Sequence, residues 1–225
     1  MIMLDTAKAR MFPAQRRVRT ENHTRRCLTS ISEKGGGLGH IRYWYEEVIA
    51  PGYRLEQEVE DHGFLILLPL VGSVRVMDSS LFHWQVDAGQ LLILPVDAGQ
   101  LYRLDNLDDQ ELVSFIRIGW RSTGPVNDVP MLTRFDLDAS PNQLQTLSGP
   151  PFNLQLGRFD GRSEGEIPYG DSGEKKFVFV IEGAFEVSNR LLEARDGMQL
   201  WNTRRAEFEA LSNDAILLAL TVEHP

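Results

Sequence analysis

Residues 58–62 read Glu-Val-Glu-Asp-His, so two carboxylates and an imidazole recur at every second position. The surrounding residues 54–60 alternate in polarity, which predicts a β-strand, and on a strand every second side chain shares a face. Glu58, Glu60 and His62 would then project together. Two carboxylates and one imidazole could bind a divalent ion, although the two-His, one-carboxylate iron site has the opposite balance. A carboxylate pair can also do acid–base work, because two like charges held close push one pKa upward. A catalytic pair that flanks a substrate comes from separate elements, however, and these two are neighbours on one strand. The third reading is that both glutamates are solvated at a strand edge or barrel mouth, since carboxylates are rarely buried without partners.

The other reactive residue types stand alone in the sequence. Cys27 is the single cysteine, with no histidine tied to it by any motif, and it excludes an intrachain disulfide. His40 and His83 have no partner in sequence, and the only histidine of the second half is His224. Trp44, Trp84, Trp120 and Trp201 suit a β core as readily as a pocket wall. Residues 35–39, Gly-Gly-Gly-Leu-Gly, lack the strand-then-helix context of a phosphate-binding loop and read as a turn.

The elements that must position these residues are short strands. Residues 40–48 alternate, residues 64–70 are continuously apolar, and further strands are expected at 73–77, 82–86, 90–94, 100–104 and 112–118. Turns at 78–80, 87–89 and 97–99 separate them. Residues 128–151 break this rhythm with four prolines and a stretch, 141–147, that could form a helical turn; they read as a linker. Strands resume at 152–159, 176–181, 184–187, 190–193, 198–201, 206–211 and 215–222, with Arg190 ordering the hairpin beside Asn189. Even spacing without a helical period predicts a sandwich or barrel. Asp87-Ala-Gly-Gln-Leu-Leu and Asp196-Gly-Met-Gln-Leu-Trp follow similar strands in the two halves, a weak internal repeat.

Net charge −9 argues against a nucleic-acid partner, which requires a basic face. The charge is uneven: residues 1–30 carry +5 and the remainder −14. The first 26 residues read as a polar, irregular basic arm that could hold a groove on its own chain or on a neighbouring subunit. Residues 1–20 contain no apolar h-region, so a signal peptide is not expected, and the longest apolar run, 64–71, is too short to span a bilayer. With one cysteine, these features lead to the expectation of a cytoplasmic protein without a membrane partner.

The spacing of certain residues adds a resemblance. Five residues separate Gly52 from the Glu58-Val-Glu60 triplet, and the apolar run that follows closes on Gly72. Gly89 is followed by five residues and then Pro95, and Gly99-x-x-Tyr102-x-x-x-Asn106 follows. This resembles the two cupin motifs. Together with the block Phe177-Val-Phe-Val-Ile-Glu-Gly-Ala-Phe-Glu-Val-Ser-Asn-Arg-Leu-Leu, the chain from about Gly39 onward resembles a pirin, a two-domain cupin. The resemblance implies an all-β fold of two tandem cupin barrels, that is, double-stranded β-helix or jelly-roll units. The expected divisions are an N-terminal cupin domain with its basic arm at 1–127, a linker at 128–151 and a cupin-like domain at 152–225.

Pirins carry an N-terminal iron site of three His and one Glu; some open flavonol rings with dioxygen, and others regulate through protein partners. Carried over by position, the first His pair falls on Glu58 and Glu60, the third His on Tyr102, and the Glu on Leu104. The leading expectation is therefore a pirin-like bicupin without the usual His metal site. It would hold no metal or cofactor and act as a non-catalytic binding or regulatory protein for a small molecule or protein partner. Glu58, Glu60, His62, Tyr102 and Asn106 would line its cavity. One alternative is a metal-dependent cupin enzyme, a dioxygenase of the quercetinase type, with Fe or Mn on a carboxylate-rich site. The other is a metal-free small-molecule sensor.

Overall fold

Some strands of the computed structural model alternate buried and exposed side chains and others are buried almost from end to end; the model describes residues 8–35, 37–79, 82–126, 128–149, 151–168, 174–202 and 205–222. In chain order the strands are β1 (Lys8–Phe12), β2 (Val18–Glu21), β3 (Arg25–Ile31), β4 (Ile41–Ile49), β5 (Arg54–Glu58), β6 (Gly63–Val71) and β7 (Ser73–Asp78). Then come β8 (His83–Asp87), β9 (Gln90–Val96), β10 (Leu101–Asp105), β11 (Val113–Arg121), β12 (Met131–Arg134), β13 (Gln145–Thr146) and β14 (Leu154–Phe159). The last are β15 (Glu164–Pro168), β16 (Lys175–Glu182), β17 (Ala184–Val187), β18 (Leu191–Glu193), β19 (Gly197–Trp201), β20 (Arg205–Ala210) and β21 (Ala215–Val222). Among the described residues there is no α-helix, and no helix is long and apolar enough to cross a membrane.

The chain divides into two units, one of Val18–Phe135 and one that joins Met1–Arg17 to Asp136–Pro225. The first unit has a seven-stranded sheet, β12-β9-β6-β11-β4-β3-β2, and a four-stranded sheet, β5-β10-β7-β8. Leu65, Leu67 and Phe115 of the larger sheet share one buried cluster with Val74, Val76 and Leu104 of the smaller, so the inner faces of the two sheets pack together. The second unit repeats the plan, with β1-β19-β16-β21-β14-β13 over β15-β20-β17-β18. Its core centres on Phe159, Phe185 and Phe208, whose rings meet edge to face at 4.9–6.0 Å.

The two units match strand for strand, with β6, β9, β11 and β4 of one corresponding to β16, β19, β21 and β14 of the other. Gly72 (φ 78) and Gly183 (φ 76) turn the chain at the same point in each. The register also slips at the same place: Phe115 pairs with Pro69, and Leu217 with Val180. The weak sequence repeat is thus a repeat of architecture. The tandem jelly-roll fold expected from the sequence is the one formed.

Several local expectations are corrected. The part of the expected irregular arm that lies among the described residues, 8–26, is ordered as strands: β1 pairs with β19, from Lys8 opposite Trp201 to Phe12 opposite Gly197, and β2 pairs with β3. Short, charge-rich edge strands carry a weak alternation signal, which explains the misreading. The helical turn expected at 141–147 is absent; Asn142 turns the chain with φ 62 and β13 follows. The unit boundary falls after Phe135 rather than at 127, because β12 pairs with β9. In the repeat, β1 takes on β19 the place that β12 takes on β9. The hairpin at Ser188 and Asn189, both at positive φ, receives the Arg190 side chain on the Ser188 carbonyl at 2.7 Å, as the sequence suggested.

Phe12 packs edge to face on Phe177 at 5.6 Å, so β1 contributes an aromatic contact as well as a ladder. Removing residues 1–12 is expected to lower hydrogen-exchange protection across Gly197–Trp201 while leaving β11 protected. Unchanged protection in β19 would show that β1 adds nothing to that unit.

Candidate functional site

The inner face of the first unit is apolar at one end and polar at the other. On β11 the inward positions are Val113, Phe115, Arg117 and Gly119; on β4 they are Ile49, Glu47, Tyr45 and Tyr43. The register sets Phe115 opposite Glu47 and Arg117 opposite Tyr45. Two strand positions that would ordinarily hold aliphatic side chains therefore hold a guanidinium and a carboxylate, 1% and 0% exposed.

Glu47 is divided between two arginines. Arg117 Nε donates to its Oε2 at 2.6 Å, and Arg25 Nε on β3 donates to its Oε1 at 2.8 Å, with Arg25 Nη2 also in contact. Burial would raise the Glu47 pKa, but the guanidiniums of Arg117 and Arg25 outweigh it and hold the carboxyl below the usual carboxylate range. Burial likewise works against the charge on Arg117, and Glu47 outweighs it, so this guanidinium stays protonated. The thiol of Cys27, opposite Glu47 on β3, is pushed up by burial and then by the Glu47 charge. It is therefore a poor nucleophile.

Tyrosines complete the chamber. Arg117 Nη1 donates to the Tyr102 hydroxyl, and the Tyr43 and Tyr102 hydroxyls lie 3.4 Å apart. The Tyr43 and Tyr45 rings stack at 4.6 Å, with the Arg117 guanidinium 5.3 and 5.2 Å from their centroids. Gly119 permits this packing: a Cβ there would meet the Tyr43 ring at 2.3 Å. Burial pushes the Tyr43 phenol well above its ordinary value, so it remains a proton donor at neutral pH.

These side chains surround a cavity of about 100 Å³ whose lining includes Arg117, Tyr43, Tyr102, Glu33, Glu58 and Glu60. Its rim is organised by Arg42. The β4–β11 register pairs Gly119 with Tyr43 and Trp120 with Ile41, leaving Arg42 as the extra residue of a bulge, a device that re-aims a side chain. Arg42 contacts Glu33, meets Glu60 Oε2 at 3.0 Å and lies 3.6 Å from Asp61. Burial, followed by a hydrogen bond with Glu60, pushes the Glu33 carboxyl up.

Of the residues singled out in the sequence, Glu58, Glu60 and Tyr102 line this cavity, and His62 and Asn106 do not. Regular strand pairing ends at Glu58, so the two-residue alternation does not carry Glu60 and His62 onto a shared face. His62 Nδ1 lies 2.8 Å from Asp97 Oδ1 instead. Asn106, 1% exposed, staples the loop behind the barrel: its Nδ2 donates to the carbonyls of Ala50 at 3.1 Å and Glu111 at 2.8 Å. Among the described residues, no three His, Cys, Asp or Glu are grouped so as to hold a metal ion; His224 lies outside them. Sequence reasoning missed Glu47, Arg117 and Arg25. Their only signal is a charge at an inward position of an otherwise apolar strand.

Among the described residues the second unit makes no such chamber. With Gly72 aligned to Gly183, Arg117 corresponds to Ala219, Glu47 to Gly157 and Tyr102 to Ala206. Its acidic character lies outside instead. Glu164, Glu209 and Glu186 stand side by side across the smaller sheet, with Glu166 and Glu207 in the next row, and Arg162 and Arg205 partly neutralise them.

Comparison with known proteins places this geometry in context. The family model of the quercetinase C-terminal cupin domain matches residues 152–219. No curated protein matches in sequence. YhhW from Escherichia coli superposes with a TM-score of 0.83 at 16% identity, over 97% of this chain and 99% of that one. A structure described as bacterial pirin YhhW in complex with nickel(II), from the same organism, gives 0.80 at 15% over 97% and 100%. A quercetin 2,3-dioxygenase from Acinetobacter baumannii gives 0.76 at 15% over 96% and 86%. Identities this low establish a shared fold.

Replacing Glu47 by Ala leaves two guanidiniums facing each other, one of them fully buried, and is expected to cost about 3–5 kcal/mol. Arg117→Met leaves Glu47 still paired with Arg25 and costs less; urea denaturation of both variants checks the order. The Glu47 pKa is lower in the folded chain than in the unfolded one. Its stabilisation is therefore complete above the ordinary carboxylate pKa and is lost as pH falls through the depressed folded value. Acid titrations of stability should show that limb weakened in Glu47→Gln.

Proposed function

We propose that this chain, a pirin-like bicupin by fold, is a metal-independent binding or regulatory protein whose ligand site is the interior of its N-terminal barrel. The observation that carries this reading is the Arg117 guanidinium, held in the inner layer by Glu47 and Tyr102.

The chemistry of the donor set supports it. A divalent ion needs several free anionic or neutral donors converging on one point. Here the Tyr102 oxygen accepts from Arg117, Glu60 is turned to Arg42, and His62 is paired with Asp97. A fixed guanidinium beside these groups also opposes a second cation. These residues do not fit the iron site that the pirin resemblance implies, and no reaction step is assigned to such a metal. The single cysteine, free and buried, supports a reducing cytoplasm as the setting.

The competing reading, a quercetinase-type cupin enzyme with a carboxylate-rich Fe or Mn site, draws support from the described function of the A. baumannii neighbour and from the family match in the C-terminal half. Two measurements separate the readings. Metal analysis of the purified, dialysed protein is expected to find less than stoichiometric iron, manganese or nickel. Added Mn²⁺ or Fe²⁺ is expected to leave the melting temperature unchanged. Retained stoichiometric metal would favour the enzyme, as would a Mn²⁺-induced rise in melting temperature abolished by Glu58→Ala with Glu60→Ala.

A further inference from the structure

Among the described residues, β2 is the strand of the first unit's larger sheet that has no counterpart in the repeat. The second unit's sheet ends at β13, the equivalent of β3, and the first unit adds β2 beyond it. All four side chains of β2 are exposed, Val18 by 63%, so the strand adds nothing to the core. What it adds is a new edge.

The hydrogen bonds show which groups that edge offers. Asn22 N–H donates to the Arg25 carbonyl at 2.9 Å, in the same register that pairs Thr20 with Cys27 and Val18 with Thr29. Backbone groups alternate along a strand, so Thr20 and Val18 turn theirs to β3, and Arg19 and Glu21 turn theirs outward. No strand pairs with that side among the described residues. The ladder cannot run on into Arg17, whose N–H is bonded to the Ala14 carbonyl.

An open edge accepts another strand, and charged side chains are its usual defence. Here the charges have both signs: Arg19 and Glu21 share a face, with Arg19 Nε donating to Glu21 Oε2 at 2.6 Å. Against a second copy of β2, antiparallel about a two-fold axis, the outward groups meet in three ways. Arg19 opposite Arg19, or Glu21 opposite Glu21, sets like charges across the seam, which is destabilising. The third register sets Arg19 of each copy opposite Glu21 of the other, with Thr20 facing Thr20 at the axis. Opposite charges and paired threonines both favour it, and the repulsion in the other two makes it specific.

We propose that β2 is a self-association edge: two copies of this chain join their larger sheets through antiparallel β2 strands, Arg19 of each opposite Glu21 of the other. Main-chain hydrogen bonds supply the attraction and the side chains select the register, as in strand addition generally. The two-fold axis closes the contact at two copies. A four-residue ladder is small beside a standard interface, so the association is weak and depends on concentration.

Sedimentation velocity of the full chain over a range of concentrations tests it. The wild type is expected to move from one toward two chains as concentration rises. Arg19→Glu and Glu21→Arg each set like charges across the seam, so each variant alone should remain monomeric. An equimolar mixture of the two restores opposite charges at both pairs and should associate, as should the doubly swapped Arg19→Glu, Glu21→Arg chain. Both positions are exposed, so the folds of these variants should match the wild type by circular dichroism. A wild type that stays monomeric up to about 1 mM would overturn the proposal, by showing that the edge does not take a second copy. So would single variants that associate like the wild type, which would place any dimer contact elsewhere, or a mixture and a double swap that both stay monomeric.

Discussion

Glu47 is a carboxylate with no access to solvent, and the N-terminal barrel is arranged around keeping it ionised. Removing an ion from water costs several kcal/mol even after relaxation, and Coulomb attraction offsets this only when geometry and hydrogen bonding are good. Both oxygens of Glu47 are claimed, one by each guanidinium. Arg117 is then steadied by a phenol and by two ring faces. Three strands, β3, β4 and β11, must hold register for this to work. The pair therefore constrains how the larger sheet is assembled as well as what its interior can bind.

The duplicated architecture provides an internal comparison. The same strand positions carry arginine, glutamate and tyrosine in one unit and alanine, glycine and alanine in the other. In the second unit small residues leave room for three phenylalanines in edge-to-face contact, and the barrel closes on an apolar core. In the first, the polar chamber takes that volume. Stability by apolar burial and the capacity to bind a polar ligand compete for one interior, and the two halves resolve the competition in opposite ways. This agrees with the principle that function resides in sites carried by a fold rather than in the fold itself.

Backbone irregularity places the rim. Without the bulge at Arg42, strict alternation would turn its side chain away from the cavity. Without a glycine at position 119, the Tyr43 ring could not lie across β11. The acidic residues at the mouth are thus gathered around a cation that a regular strand would not have delivered. Their mutual repulsion is moderated by Arg42 and, at the outer edge, by Arg121.

The strand pattern, the jelly-roll fold and the repeat were legible in the sequence, because alternation with period two and glycines at fixed spacing are local signals. So were the residue types of Glu58, Glu60 and Tyr102, which stand where the resemblance leads one to expect histidines, since residue type is read directly. Tertiary structure decided the rest. Whether Glu60 faces a neighbour on its strand or an arginine on another depends on where regular pairing stops. The union of Arg25, Glu47 and Arg117 joins residues up to 92 positions apart, a contact that exists only once β3, β4 and β11 lie side by side. A charge at an inward position looks, in sequence, like any solvated charge; only the packed sheets show it to be buried, paired and central.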